Sequence, residues 1–206
     1  MPNYGSGIYG SGPYGISHPI GPLISFLLRR VRDPQGLGTT RDLARLALSH
    51  SQRVINAKAK YVLTTETLAT FEACLIYPIK ALLPNSARII AVRDDDRDLD
   101  YEPQWRNLVN LEGNWFRHVS FQHRIYSMIG RDLLVLYPAK DHDSTVEVVS
   151  VKLLPNFASD SSTAEIPNSD EDFLLDIAEL ILTIKNRNLP VAESMLKSIQ
   201  GKMALL

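Results

Sequence analysis

The sequence has a single cysteine, almost no net charge and no hydrophobic run of membrane-spanning length. Cys74 is alone among 206 residues, so no intrachain disulfide can form. The 22 basic and 23 acidic residues give a net charge of −1, which excludes a global field that draws the chain to nucleic acid or membranes. The apolar run at residues 23–28 is too short to span a bilayer, and no secretory signal pattern is present. We therefore expect a soluble intracellular product.

The sequence also lacks the compact motifs that accompany catalysis. The glycine-rich stretch at residues 36–40 has no Gly-Lys-Ser/Thr, and no serine lies in a Gly-x-Ser-x-Gly elbow. Cys74 lies in an apolar, strand-like segment, where a thiol is buried and inert. His118 and His123 are five residues apart, so a strand would place them on opposite faces, unsuited to a shared metal. The sequence predicts no catalytic residue, no cofactor and no metal, and hence no enzyme.

An acidic run at residues 94–102 is the closest match to a metal site. Its six carboxylates stand against one arginine, and five of them alternate as in a calcium loop. Leu99, however, occupies the position of the sharp-turn glycine, and Trp105 replaces the bidentate glutamate. We interpret this run as a solvated acidic loop.

Hydrophobic periodicity predicts helices at both ends of the chain. A short helix at about 23–32 is followed by a longer one at about 40–60, for which Thr39 is the predicted cap. The C-terminal part predicts two helices joined as a hairpin. The first, at about 170–186, begins with an acidic turn, and the second, at about 190–204, begins with Pro190. The buried stripe of the long second helix is predicted to comprise Leu43, Ala47, His50, Val54, Ala57 and Tyr61.

Between these helices, period-two patterns predict a β region at about 61–155. Strands are predicted near residues 71–79, 88–92, 119–126, 132–137 and 145–154. The run at residues 132–138 is apolar on both faces, so helices or another subunit must cover both. The predicted fold is α+β: two N-terminal helices, a small antiparallel β-sheet and a C-terminal helical hairpin, in one domain over residues 23–206.

Residues 1–22 are predicted to form a flexible, extended arm rich in tyrosine and glycine. Tyr4, Tyr9 and Tyr14 recur at a five-residue period among glycines and prolines that oppose independent folding. Such a segment is either a floppy terminus without a role or an arm that orders when its rings enter pockets on a partner.

Several short patterns follow one another along residues 23–206. They are Leu27-Leu28-Arg29-Arg30-Val31-Arg32-Asp33 leading into Thr40-Arg41-Asp42-Leu43-Ala44-Arg45; Leu83-Pro84-x-x-Ala87-Arg88-Ile89-Ile90-x-Val92; Trp105; Leu133-Leu134-Val135-Leu136-Tyr137-Pro138 with a strand after it; and Ile166-Pro167 before the last two helices. In this succession the chain resembles the head-to-tail adaptor (connector or neck) proteins of tailed bacteriophages.

The resemblance implies a virion protein that forms a ring, commonly of twelve copies, beneath the portal at the capsid vertex. The ring would bind the portal and the tail, nozzle or neck proteins, and double-stranded DNA would pass through it without specific binding. The carboxylates at residues 94–102 would suit a channel that does not grip DNA. Candidate partner-binding residues are the arm tyrosines and the C-terminal apolar residues: Tyr4, Tyr9, Tyr14, Met203, Leu205 and Leu206.

Two other interpretations remain open from the sequence. One is a different virion role, in tail completion, in the neck or in fibre docking. The other is a hydrolase or metal-dependent enzyme whose site is dispersed along the chain, with Asp96 or His123 as candidate residues.

Overall fold

The computed structural model describes residues 19–33, 38–111 and 115–204. These residues form the α-helices α1 (Gly21–Arg30), α2 (Arg41–Ala59), α3 (Ile79–Leu82), α4 (Arg106–Leu111), α5 (Glu171–Lys185) and α6 (Leu189–Met203). They form the strands β1 (Leu63–Thr70), β2 (Ile76–Pro78), β3 (Ser86–Asp94), β4 (Arg97–Asp98), β5 (Asp100–Glu102), β6 (Val119–Ser120), β7 (Ile125–Ile129), β8 (Leu133–Tyr137), β9 (Ala139–Lys140) and β10 (Ser144–Lys152). The predicted α+β class is confirmed.

The described chain divides into two compact units. The helical unit comprises residues 19–33, 38–62 and 153–204, and the β unit is Leu63–Lys152. Among the described residues, no helix combines the length and apolar character required to cross a membrane.

The helical unit packs α1, α2, α5 and α6 around one hydrophobic core. Helix α1 begins at Gly21, two residues before the predicted start, because the backbone N–H groups of Ile20 and Gly21 bond to the carbonyls of Ser162 and Asp160 at 2.9 Å. Ile20 is fully buried, so the folded part of the chain begins inside the segment that the sequence assigns to the arm.

The buried face of α2 differs from the predicted stripe. Ala44, Leu48 and Ile55 are fully buried, whereas His50 and Val54 are exposed. The prediction was right for Ala47 and wrong for most of the other positions, because the true face includes serines, which the prediction did not count as able to be buried. Each bonds a backbone carbonyl one turn earlier, as Ser51 Oγ does to the Ala47 oxygen at 2.8 Å, which satisfies the hydroxyl inside the core.

The N-cap of α2 is Thr40 rather than the predicted Thr39. Thr40 Oγ1 accepts a hydrogen bond from the Leu43 N–H at 3.3 Å. Thr39 is buried, and its backbone N–H donates to the Asp33 carboxylate, which also receives the N–H of Gly38. Asp33 therefore fixes the chain just before the helix by binding the Thr39 N–H, and Thr40, the next residue, caps the helix.

The β unit contains more than the one small antiparallel sheet that the sequence predicts. One antiparallel sheet has the order β1-β10-β3-β4. A second has the order β2-β8-β7-β5, in which β5 and β7 pair in parallel, and β6 and β9 form a separate parallel pair. The predicted strand at residues 71–79 was wrong: a turn after β1 and the start of α3 leave only β2 within it.

Strand β8 is covered on both faces within the β unit. Leu134 and Leu136 belong to the cluster that includes Val92 and Val148 of the first sheet. Val135 and Tyr137 point to the other face and belong to a cluster completed by Leu108 of α4 and other apolar residues. A neighbouring subunit is therefore not needed to explain why this strand is apolar on both faces.

The observed face of α2 is testable with two adjacent residues. We expect Ile55→Ala to lower the free energy of unfolding by about 2–5 kcal/mol, because it removes a fully buried side chain and leaves a cavity. Val54→Ala is the matched control and should change it by no more than about 0.5 kcal/mol, because Val54 is exposed. Urea denaturation followed by circular dichroism measures both. Equal effects, or a larger effect of Val54→Ala, would contradict this packing.

Candidate interaction surface

An ion pair lies inside the β unit, where the sequence predicted a solvated loop. Asp94 ends β3 and Lys140 ends β9, and Lys140 Nζ lies 2.6 Å from Asp94 Oδ1. The two side chains are only 1% and 2% exposed. The interpretation of residues 94–102 as a uniformly solvated loop was therefore wrong for its first carboxylate.

Hydrogen bonds surround this pair. Lys140 Nζ also donates to Ser144 Oγ at 2.8 Å, and that hydroxyl bonds to Thr70 Oγ1 at 2.8 Å. The second oxygen of Asp94 accepts the backbone N–H of His123 at 2.9 Å. Desolvation of two charges is costly unless such bonds replace water, so this network is what allows the pair to be buried.

His123 is the fourth buried polar residue of the network, after Asp94, Lys140 and Thr70. Its Nδ1 lies 2.7 Å from the carbonyl oxygen of Pro138, which can only accept, so Nδ1 carries the proton of the neutral ring. Nε2 is buried and has no hydrogen-bond partner among the described residues. Burial lowers the pKa of His123, against the hydrogen bond to Pro138 and the nearby Asp94 carboxylate, which favour the charged form.

Asp94 fixes two neighbouring segments of the surface. Its backbone pairs with Arg97 of β4 across a tight turn, and its carboxylate holds the segment around His123. Arg97 therefore comes from one anchored segment, and Arg124, next to His123, comes from the other. The two arginines line a surface cavity of about 330 Å³ with Ser120, Phe121 and Gln122, which we call the arginine cavity.

The arginine cavity is cationic and partly aromatic. Arg97 and Arg124 are exposed, and neither has an ion-pair partner among residues 19–33, 38–111 and 115–204, whereas nearby Arg93 is paired with Asp98 at 2.7 Å. Phe121 is 67% exposed, and its ring lies 5.0 Å from that of His142. Two guanidinium groups that no described carboxylate pairs with, beside an exposed ring, form a surface suited to a carboxylate accompanied by an apolar group.

Two of the remaining carboxylates of the acidic run serve separate local roles. Asp98 pairs with Arg93, and one Glu102 oxygen accepts from the Gln104 N–H and the Asn107 side chain at 2.9 and 3.0 Å. In the part of the chain that the structure describes, no three His, Cys, Asp or Glu side chains group as metal ligands. Cys74 is half-buried in a turn rather than within a strand.

Most of the predicted partner-binding residues lie outside the described residues. These are Tyr4, Tyr9, Tyr14, Leu205 and Leu206. Met203 is described; it ends α6 and is partly buried against the helical core. Met203 belongs to the helical unit and the arginine cavity to the β unit, so we treat them as two separate candidate surfaces.

Sequence reasoning missed Lys140, Arg97, Arg124 and Phe121. One signal was available for the buried pair. Ile90, Val92 and Asp94 are each two residues apart, so a strand places all three side chains on the same, buried face. A carboxylate in phase with a buried face requires a buried partner. Nothing in the sequence identifies that partner as Lys140, which is 46 residues away.

No protein-family model matches this chain, and no curated protein matches it either. Function must therefore be inferred from the order of segments and from the geometry above.

The buried pair predicts a large asymmetry between two lysines. Lys140→Met should lower the free energy of unfolding by about 3–5 kcal/mol, because it leaves the Asp94 carboxylate buried and uncompensated. Lys80→Met is the matched control: Lys80 also lies 2.8 Å from a carboxylate, that of Asp132, but the two side chains are 80% and 53% exposed. It should cost less than about 1 kcal/mol. Similar losses in urea denaturation would contradict the burial of the Asp94–Lys140 pair.

His123 predicts a pH dependence of stability. A base whose pKa is lower in the folded state binds fewer protons there, so its contribution is complete above the unfolded value of about 6.5 and is lost as pH falls toward the folded pKa. We expect the free energy of unfolding to decline below pH 6.5, with up to about 1.4 kcal/mol per pH unit arising from this residue.

His123→Gln should reduce that decline, because the amide can donate to the Pro138 carbonyl but does not titrate. Urea denaturation at pH 7.5, 6.0 and 5.0 measures the slope for each protein. His50→Gln is the control, because that imidazole is exposed. A slope unchanged by His123→Gln would show that His123 does not bind its proton mainly in the unfolded state.

Proposed function

We propose that this protein is a structural virion protein, a head-to-tail adaptor that forms a ring joining the portal at the capsid vertex to the phage tail. The order of segments along residues 23–206 supports this role, with its two N-terminal helices, β region and C-terminal helical hairpin. In the family that the chain resembles, the ring commonly has twelve copies. Its work is assembly, with no covalent step and no cofactor.

The arginine cavity is the observation that carries the proposal. Arginine and aromatic residues are the side chains most enriched at the energetically important centres of protein interfaces. Here Arg97, Arg124 and Phe121 are exposed, yet the segments that bear them are held by the buried Asp94. A rigid surface loses little conformational entropy when it binds, which suits a protein whose activity is docking.

The proposal also accommodates DNA passage and the N-terminal arm. Asp95, Asp96 and Asp100 remain exposed after the burial of Asp94, and exposed carboxylates on a channel wall would repel phosphates. The arm tyrosines, Tyr4, Tyr9 and Tyr14, would serve as ring-to-ring contacts that become ordered on binding.

Assembly with the cognate portal tests this function. We expect the purified full chain to bind the portal and to appear in negative-stain electron microscopy as an added ring, with a mass increase in analytical ultracentrifugation equal to a full set of copies. The protein without portal and the portal without this protein are the controls. The N-terminal arm should be cut by protease in the free protein and protected in the assembly.

The outcomes separate the virion roles. A chain that binds isolated tail proteins and ignores the portal would belong to tail completion, neck or fibre docking instead. A chain that binds neither at low or physiological salt would overturn the proposal.

A further inference from the structure

The surroundings of the arginine cavity select the kind of anion that it can bind. Asp95, Asp96 and Asp100 are exposed in the same strand-turn-strand segment as Arg97, and Asp141 is exposed beside His142. A nucleic-acid backbone carries a charge at every phosphate, so these carboxylates would repel it. A single carboxylate with apolar neighbours fits this charge pattern, and protein segments supply that chemistry.

The helical unit presents a surface of that composition on α6. Leu189, Glu193 and Leu196 are spaced by four and three residues, so they lie on one face of the helix. Leu189 is 64% and Leu196 43% exposed. Glu193 is also exposed and has no ion-pair partner among the described residues. We call this face the Glu193 stripe.

The Glu193 stripe is held on a rigid support. Ala192 and Ile199 of α6 are buried, and Met195 packs against the helical core with them. Near the end of α6, the Lys202 ammonium bonds to Asp176 of α5. The stripe is therefore an exposed ridge of two leucines and a glutamate on a helix that packs against the core, with the exposed Lys197 one turn beyond Glu193.

We propose that the Glu193 stripe of one copy docks into the arginine cavity of a neighbouring copy. The Glu193 carboxylate would bind between Arg97 and Arg124, and Leu189 and Leu196 would cover the exposed ring of Phe121. Each side holds a charge that has no ion-pair partner among the described residues, together with exposed apolar surface, and the other side complements both. The inference rests on the proposed ring and names the contact that builds it.

The contact is of the kind that closes a ring. Its two surfaces are different, so every copy uses its stripe toward one neighbour and its cavity toward the other. Such a heterologous contact generates a closed ring when the rotation between copies closes, whereas a two-fold contact between like surfaces stops at a dimer.

Charge reversal tests the pairing directly. Glu193→Arg alone and Arg124→Glu alone should each reduce ring formation on the portal at least about tenfold, because like charges then meet at every contact. A 1:1 mixture of the two variants should restore rings. When the two variants alternate around the ring, the arginine introduced at position 193 of one meets the glutamate introduced at position 124 of the other, and the next contact pairs Glu193 with Arg124 as in the wild type. Glu72→Arg and Arg88→Glu are matched controls at exposed residues on the β unit and should assemble as wild type does.

A second measurement separates this inference from the adaptor function. Glu193→Cys with Arg124→Cys, in a Cys74→Ala background, should be joined between copies by a bis-maleimide linker of about 10 Å in the free protein at high concentration, because an ion pair between long side chains holds their Cα atoms farther apart than a disulfide spans. Glu193→Cys with Arg88→Cys is the control pair and should not be cross-linked. Cross-linking without any ring on the portal would retain the contact and overturn the adaptor function.

Other results overturn the inference itself. If each single charge-reversal variant still forms rings on the portal, the proposed contact is wrong and the adaptor function still stands. The absence of cross-linking between positions 193 and 124 would also rule out the proposed contact. Binding of double-stranded DNA that Arg124→Glu abolishes would assign the cavity to phosphate instead.

Discussion

The Asp94–Lys140 pair is the constraint on which the surface of the β unit depends. Two charges separated by 2.6 Å and almost without solvent contact can exist only where each remaining donor and acceptor is matched. Asp94 meets this demand with both oxygens, one on Lys140 and the other on the His123 N–H. Buried pairs of this kind contribute little net stability compared with apolar residues, but they penalise any arrangement that separates the partners.

The position of the pair explains why its effect extends to the surface. Asp94 is the last residue of β3, so the chain leaves the sheet immediately after it and returns at Arg97. His123 is likewise followed directly by Arg124, and the Pro138 carbonyl fixes its ring from the side of β8 and β9. A displacement of either arginine-bearing segment would require one of these buried bonds to break. The positions of the two exposed arginines are thus fixed by the buried contacts of Asp94 and His123.

Local signals explain which parts of the fold were predictable. The buried face of α5, with Leu174, Ile177 and Ala178, follows from helical periodicity, and strand β8 follows from a short unbroken apolar run that ends at a proline. The face of α2 does not, because a serine that bonds its own helix backbone is as compatible with burial as alanine. Lys140 could not be predicted at all, because its burial depends on a carboxylate contributed by a distant strand. The arginine cavity could not be predicted for the same reason, because the Asp94–Lys140 pair sets its geometry.

The distribution of charge connects the composition of the chain to its proposed assembly. A net charge of −1 allows many copies to meet without mutual repulsion, yet a uniform surface would give them no preferred orientation. Segregation supplies the orientation: among the described residues, arginines without an ion-pair partner lie on the β unit and a glutamate without one lies on α6. In the proposed contact, pairing of stripe with stripe or of cavity with cavity is disfavoured, because each would bring like charges together. The proposed contact is therefore head-to-tail, and a head-to-tail contact builds a closed ring when the rotation between copies closes.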